Sequence, residues 1–308
     1  MRIVRALPAL LALLLACTSA RASENFTQHY PLGVNTFASG FLPAPGSGYF
    51  FDYSQYASMR GSRGGDGQVT NPAFAMAIKS NSSRLIYTWP GIKVGGMNYT
   101  TGLVLPVVAL DMQIRPGLRG TATGIGDIAL QNYLSGQTAN HSLAFAAGIT
   151  VNMPTGQYRP SQLVNAGTNH WTWSPNASVT WKPTAHWDVS GTLALEFNST
   201  NKANGYRSGA DFCLDYGATY NLLAGPTGWG MGVQGYAFRQ LQDDTRSGTG
   251  LATGGNRGQV FSLGPQLRYA FASGALVLKY QAEFEARNRP TANRVWLQFS
   301  LHFPRGAR

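Results

Sequence analysis

From about residue 140 onward the chain alternates apolar and polar residues with a period of two. Leu143, Phe145, Ala147, Ile149 and Val151 interleave with Ser142, Ala144, Gly148, Thr150 and Asn152. The beat returns at Trp173, Pro175, Ala177, Val179 and Trp181, and again at Trp187, Val189, Leu193, Leu195 and Phe197. Successive side chains of a strand point to opposite faces, so each segment has one apolar and one polar face. The apolar faces carry large aromatic and branched residues, and the segments approach the roughly 9–11 residues that a tilted strand needs to cross a bilayer. The pattern predicts an all-β fold: an antiparallel transmembrane outer-membrane β-barrel of about twelve strands, within an even range of roughly 10–14. Trp173, Trp181, Trp187, Phe197, Tyr220 and Phe271 fall on the apolar parity and are expected to face lipid.

The connections support this reading. Strands are expected near 100–111 and 125–134, flanking a longer Gly-rich loop at Pro116 to Gly120. Short turns at 135–140, 182–185, 224–228 and 272–274 alternate with longer connections at 154–170, 201–208 and 241–257. Outer-membrane barrels sort their connections in this way, short on the periplasmic side and long outside. The first strand is expected at Tyr49 to Met59, and the second somewhere between Pro72 and Val94. The strand near 229–240 carries Trp229, Met231 and Val233 on one parity and Tyr236 and Phe238 on the other, which predicts a bulge. The last strand sets Val295, Leu297, Phe299, Leu301 and Phe303 against Arg294, Gln298, Ser300 and His302, and the barrel is expected to span 47–303 with a tail at 304–308.

The N-terminus changes the picture of the compartment. Arg2 and Arg5 precede an apolar core from Ala6 to Ala16, and Ala20-Arg21-Ala22 offers a small-residue cleavage site. This reads as a signal peptide over residues 1–22, cleaved near Ala22, with export to the Gram-negative outer membrane. Leu14-Leu15-Ala16-Cys17 leaves a second reading, a lipoprotein box with Cys17 acylated. Residues 23–46 make no strand pattern. Pro31, Gly33, Phe41 and Pro43 mark this segment as either a periplasmic tail or a plug and gate inside the barrel.

Charged residues are 12% of the chain, about half of the roughly 25% usual in soluble domains. Mean hydropathy is −0.14, and no apolar run of about 18 residues follows the N-terminus, which excludes membrane-spanning helices. The net charge is +11. In an exported chain this points to anionic lipids and lipopolysaccharide, with no nucleic-acid partner. Removal of the leader leaves Cys213 alone, so no intramolecular disulfide is expected.

Five short motifs resemble a known group. Gly124-Ile125-Gly126-Asp127-Ile128, Pro154-Thr155-Gly156-Gln157-Tyr158, Asn169-His170-Trp171, Tyr206-Arg207-Ser208-Gly209 and Gln240-Leu241-Gln242-Asp243-Asp244, in this order and spacing, are similar to the meta-pathway phenol-degradation family of outer-membrane proteins. The resemblance covers most of the mature chain. It implies a small barrel linked to uptake of aromatic or other hydrophobic compounds. The last strand, ending on the aromatic Phe303, is the kind that the outer-membrane assembly machinery reads.

The chain has no phosphate-cradling loop, metal-spaced Cys/His cluster or nucleophile elbow, so no cofactor and no metal site is expected. Rim residues His170, Asp243 and Asp244 suggest a hydrolase as a less favoured alternative, but no feature positions them as a catalytic set. The polar parity places Asp188, Glu196, Asp211, Asp215, Arg268, Lys279, Glu283, Glu285 and Arg294 toward the lumen. An Arg or Lys facing lipid at the midplane would cost about 2–4 kcal/mol. The expected function is passive uptake of a small hydrophobic or aromatic solute, without enzymatic activity. The alternative is a structural or surface-interaction barrel whose lumen is closed by charge pairs.

Overall fold

A computed structural model describes residues 28–225, 227–250 and 257–304. The expected leader at 1–22, its cleavage near Ala22, the Cys17 alternative and residues 305–308 of the tail lie outside these. The strands are β1 (Gly48–Arg63), β2 (Val69–Val94), β3 (Met97–Arg115), β4 (Leu118–Ile125), β5 (Ala129–Gln137), β6 (Leu143–Asn152), β7 (Thr172–Trp181) and β8 (Trp187–Asn198). They continue as β9 (Tyr206–Arg207), β10 (Asp211–Asn221), β11 (Gly228–Gln240), β12 (Thr245–Arg246), β13 (Thr249–Gly250), β14 (Gln259–Phe271), β15 (Gly274–Arg287) and β16 (Pro290–Phe303). β9, β12 and β13 form a small separate sheet in the loops.

The remaining strands pair antiparallel in chain order, and β1 closes the ring on β16 with Gly48 opposite Phe303. β4 and β5 both pair with β3, end to end, so they occupy one position in the wall and the barrel has twelve. Gly126-Asp127-Ile128 interrupts that position. β5 is paired with β6 on its other side, whereas β4 pairs with β3 alone. Long connections at 153–171 and 241–258 share one end of the barrel, here termed the loop end. The tight turns at Gly95-Gly96 and Ala272-Ser273 share the other, which faces the periplasm in barrels of this class.

Alternation decides what each face meets. Trp173, Trp181, Trp187, Phe197 and Tyr220 are exposed on the outer surface, with Leu263, Leu278 and Leu297, whereas Phe271 is half-buried. No helix among the described residues is long and apolar enough to cross a membrane. In an outer-membrane barrel the outward apolar band is the surface that meets lipid.

Three local expectations are corrected. The connection at Pro116 to Gly120 is a tight turn, because Gly117 adopts φ +79° and Arg115 pairs with Leu118. β11 contains no bulge: its register against β10 runs unbroken from Gln240 to Gly230. Tyr236 and Phe238 lie on the inward parity, where they pack under Leu32. The bulge falls instead in β15. Glu285 has φ +51° and is exposed, so it leaves the inward face that Lys279 and Glu283 share.

Candidate functional site: a polarised lumen

Residues 28–47 run inside the barrel from the loop end to the turn end, along the wall formed by β8, β10, β14, β15 and β16. Asp215 holds the segment's first turn. Its carboxylate accepts the backbone N–H of Gly33 at 2.7 Å and of Asn35 at 2.9 Å, and the Tyr30 hydroxyl at 2.9 Å. Lys279 Nζ donates to the carbonyls of Gly33 and Val34 at 3.2 and 2.9 Å. Glu196 accepts the Tyr30 N–H at 2.8 Å, and Asp188 accepts that of Ala38 at 3.3 Å. These strand residues are buried, so each polar group that leaves water recovers a hydrogen bond from the segment's backbone. Gly33 adopts φ +83°, a left-handed conformation that strains any residue with a Cβ.

The other proposed lumen residues sit in three separate environments. Glu283 accepts the Tyr236 hydroxyl at 2.6 Å and the Ala292 N–H at 2.6 Å, and pairs with Arg294 at 3.3 Å. Arg268 lies over the Phe37 ring, 4.5 Å from its centroid, and donates to Asn221 at 3.0 Å. Asp211 is buried opposite Glu196 on the adjacent strand. In the segment, Phe41 stacks beneath Lys182, 4.4 Å from Nζ, at the turn end. Pro31 accepts the Val34 N–H in a tight turn, and Pro43 is buried.

Asp127, in the interruption between β4 and β5, anchors the loop end. It takes His29 Nε2 at 2.9 Å, the Gly156 N–H at 2.8 Å, and the Thr168 N–H and hydroxyl at 2.8 and 2.7 Å. Gly156 and Gly167 pack backbone to backbone beside Gly126, and a Cβ on Gly156 would lie 2.6 Å from Gly167 Cα. His170 is buried at 7% exposure, with its ring 5.2 Å from that of His29. Burial, and then the charge of His29, push its pKa down to about 4.

The three residues of the hydrolase alternative sit in separate networks. Asp244 accepts the hydroxyl of Tyr206, the Gly209 N–H and the Gln240 amide. Asp243 pairs with Arg257 at the surface. His170 contacts Thr172 and His29. No group of three or more His, Cys, Asp or Glu residues suited to a metal ion occurs among the described residues.

Between the segment and the opposite wall lies a cavity of about 260 Å³, bounded by β1, β2, β3, β5, β6 and β7. Its lining changes along the barrel axis. Inward residues of β2 read Ile78, Ser80, Ser82 and Arg84 from loop end to turn end, while β3 presents Leu110, Val108, Pro106 and Val104. Above it, Met59, Phe74, Met76, Leu110, Met112, Val164 and Ala292 form an apolar cluster, against which Leu163 packs from the loop. The cavity wall was missed by sequence reasoning because Lys79 to Arg84 is polar on both faces, which erases the alternation. β3 is apolar on both faces, with the same effect. Asp127 was legible only as a member of the motif Gly124 to Ile128, within a strand expected near 125–134.

A closed twelve-position barrel with an apolar belt and an occupied lumen defines a β-barrel of the outer-membrane type. The chain belongs to the family described as "Putative MetA-pathway of phenol degradation", whose profile matches residues 60–299. Its fold is similar to that of an outer membrane channel from Pseudomonas putida F1, with a TM-score of 0.77 at 16% identity over 86% of this chain and 98% of that one. It is also similar to the β domain of the Bordetella autotransporter BrkA, with a TM-score of 0.51 at 14% identity over 84% of this chain and 100% of that one. No curated protein matches the chain.

Proposed function

We propose that this protein is an outer-membrane channel for passive uptake of small hydrophobic or aromatic compounds, with no enzymatic activity. The observation that carries the reading is the cavity beside the N-terminal segment. It is bounded by an unbroken apolar stripe of β3 and capped at the loop end by an apolar cluster. Apolar solutes cross the hydrated, charged outer leaflet poorly, and an apolar stripe through a barrel provides a path around it. Membership of a phenol-degradation family supports the same solute class. The separation of His170, Asp243 and Asp244 speaks against a hydrolase. The cationic chain suits a surface bearing lipopolysaccharide phosphates, and Phe303 ends the last strand as an assembly signal would.

In this reading residues 28–46 act as the gate, since the segment lines one side of the lumen beside the cavity and must shift for it to open at the turn end. The structural alternative draws on a different observation: buried carboxylates bind the segment. Planar-bilayer recording separates the two. The full chain should show small or intermittent conductance, and a chain lacking residues 28–46 should conduct steadily. Silence from both would favour the structural barrel.

A further inference from the structure

We infer that the cavity selects small organic anions with an apolar body, aromatic carboxylates above all, and that Arg84 is the residue that reads the anionic head. The inference rests on the channel reading and deepens it by naming the charge of the solute. Arg84 lies three residues in from the start of the barrel, opposite Phe51 on β1, and so at the turn end of the cavity. Its Nε donates to Gln131 Oε1 at 2.7 Å and its Nη1 to the Tyr53 hydroxyl at 3.4 Å. The guanidinium stands 5.4 Å from the Phe51 ring centroid and 6.0 Å from that of Tyr133. These contacts fix the orientation of the planar fork, which matches a carboxylate in a bidentate fashion.

The charge balance of the cavity singles out this residue. Among the described residues no carboxylate lies within ion-pair distance of Arg84. The other cationic groups on the wall already have carboxylate partners within the protein. Glu196 holds the Tyr30 N–H, Asp127 holds His29 and the loop, and Arg294 is paired with Glu283. A cation in a confined, low-dielectric space without its own counter-ion is stabilised by an anionic ligand.

The rest of the lining sets the shape of that ligand. From Arg84 toward the loop end the wall passes through Ser82 and Ser80 to Ile78, with Pro106 and Val108 alongside. The head therefore points to the turn end and the body toward the mouth. The cavity, at about 260 Å³, falls just below the roughly 300–1,000 Å³ of pockets for drug-sized ligands, a size for a one-ring acid and too small for a long lipid.

Calorimetric titration of the purified full chain in a non-ionic detergent with benzoate and with benzamide tests this, since the two share a ring and differ in head charge. Wild type should bind benzoate about tenfold more tightly, the margin of a charge-assisted over a neutral hydrogen-bonded pair. Arg84→Leu should remove that preference, bringing the two affinities level by weakening benzoate the more, whereas Arg84→Lys should keep part of it. Heat-shift on unheated gels confirms that each variant is folded, and the wild-type comparison stands even if a variant is not. Equal affinity for both ligands, or a preference that persists in Arg84→Leu, would overturn the inference. Uptake of both ligands at equal rates by proteoliposomes would overturn it and leave the channel standing. Absence of any binding or uptake would remove both.

Discussion

At the scale of single residues, buried polar groups decide where the N-terminal segment lies. Asp215 is the densest anchor, with three donors from the segment and Lys279 reaching the same turn. Asp215→Ala should leave two backbone N–H groups and a tyrosine hydroxyl unpaired in the lumen, at a cost of about 3 kcal/mol or more to docking. The check is hydrogen exchange at Gly33 and Asn35, which should quicken strongly while the barrel's own amides stay protected. His170 gives the loop end a pH dependence of known sign. Its pKa falls to about 4 in the folded loop, below an ordinary value near 6.5. The unfolded loop therefore takes up the proton first. Stability is full above about pH 6.5 and is lost as pH falls toward 4, with a loss of about 2 kcal/mol already at pH 5. Protease nicking between 153 and 171 should rise across that window, and His170→Asn should flatten the rise. The sequence singled out His170 but not its neighbours. His29 and Asp127 are separated from it by long stretches of chain, and only the folded segment brings them together.

At the scale of elements, parity was legible wherever one face was greasy and the other polar. β6, β7, β8 and β16 are such strands, and their large apolar residues face outward as alternation requires, Trp296 excepted, which is buried on the lumen side. Parity failed where a strand lacks this contrast. β2 is polar on both faces between Lys79 and Arg84, with Asp52 and Asn81 hydrogen-bonded on the outer face at 2.8 Å, and its ends could not be placed from the pattern. β11 failed for the opposite reason: Tyr236 and Phe238 are apolar residues that serve the inner cluster around Leu32, so a bulge was expected where none exists. Glu285 shows the converse, a bulge at positive φ that turns a carboxylate outward, with no signal in residue type. Cysteine introduced at Asp211 should resist a lipid-phase probe, and cysteine at Leu297 should react with it. Reversal of the two would mean a one-residue slip of the whole strand. The interruption between β4 and β5 carries a prediction of its own. Gly156→Ala forces a Cβ into Gly167 and Gly126, so the loop from 153 to 171 should detach from Asp127. Faster proteolysis of that loop, with an unchanged heat-shift of the barrel, is the expected result.

At the scale of the whole molecule, alternation joined to sorted loop lengths made the barrel and its strand number readable before any coordinates. The contents of the lumen were not readable, because a segment without periodicity gives no sign of which wall it will follow. Its placement comes from long-range hydrogen bonds such as Lys279 to Val34 and Gln298 to Val34. The segment covers one side of the lumen and leaves an apolar-to-cationic cavity along the other. Uptake of a small aromatic solute at low concentration, by cells with an intact outer membrane and with or without this protein, tests that picture most directly. Initial uptake should rise several-fold when the protein is present, and should rise again in Asp215→Ala cells, in which the segment is loosened. Rates that stay the same with and without the protein across a panel of aromatic solutes would contradict it.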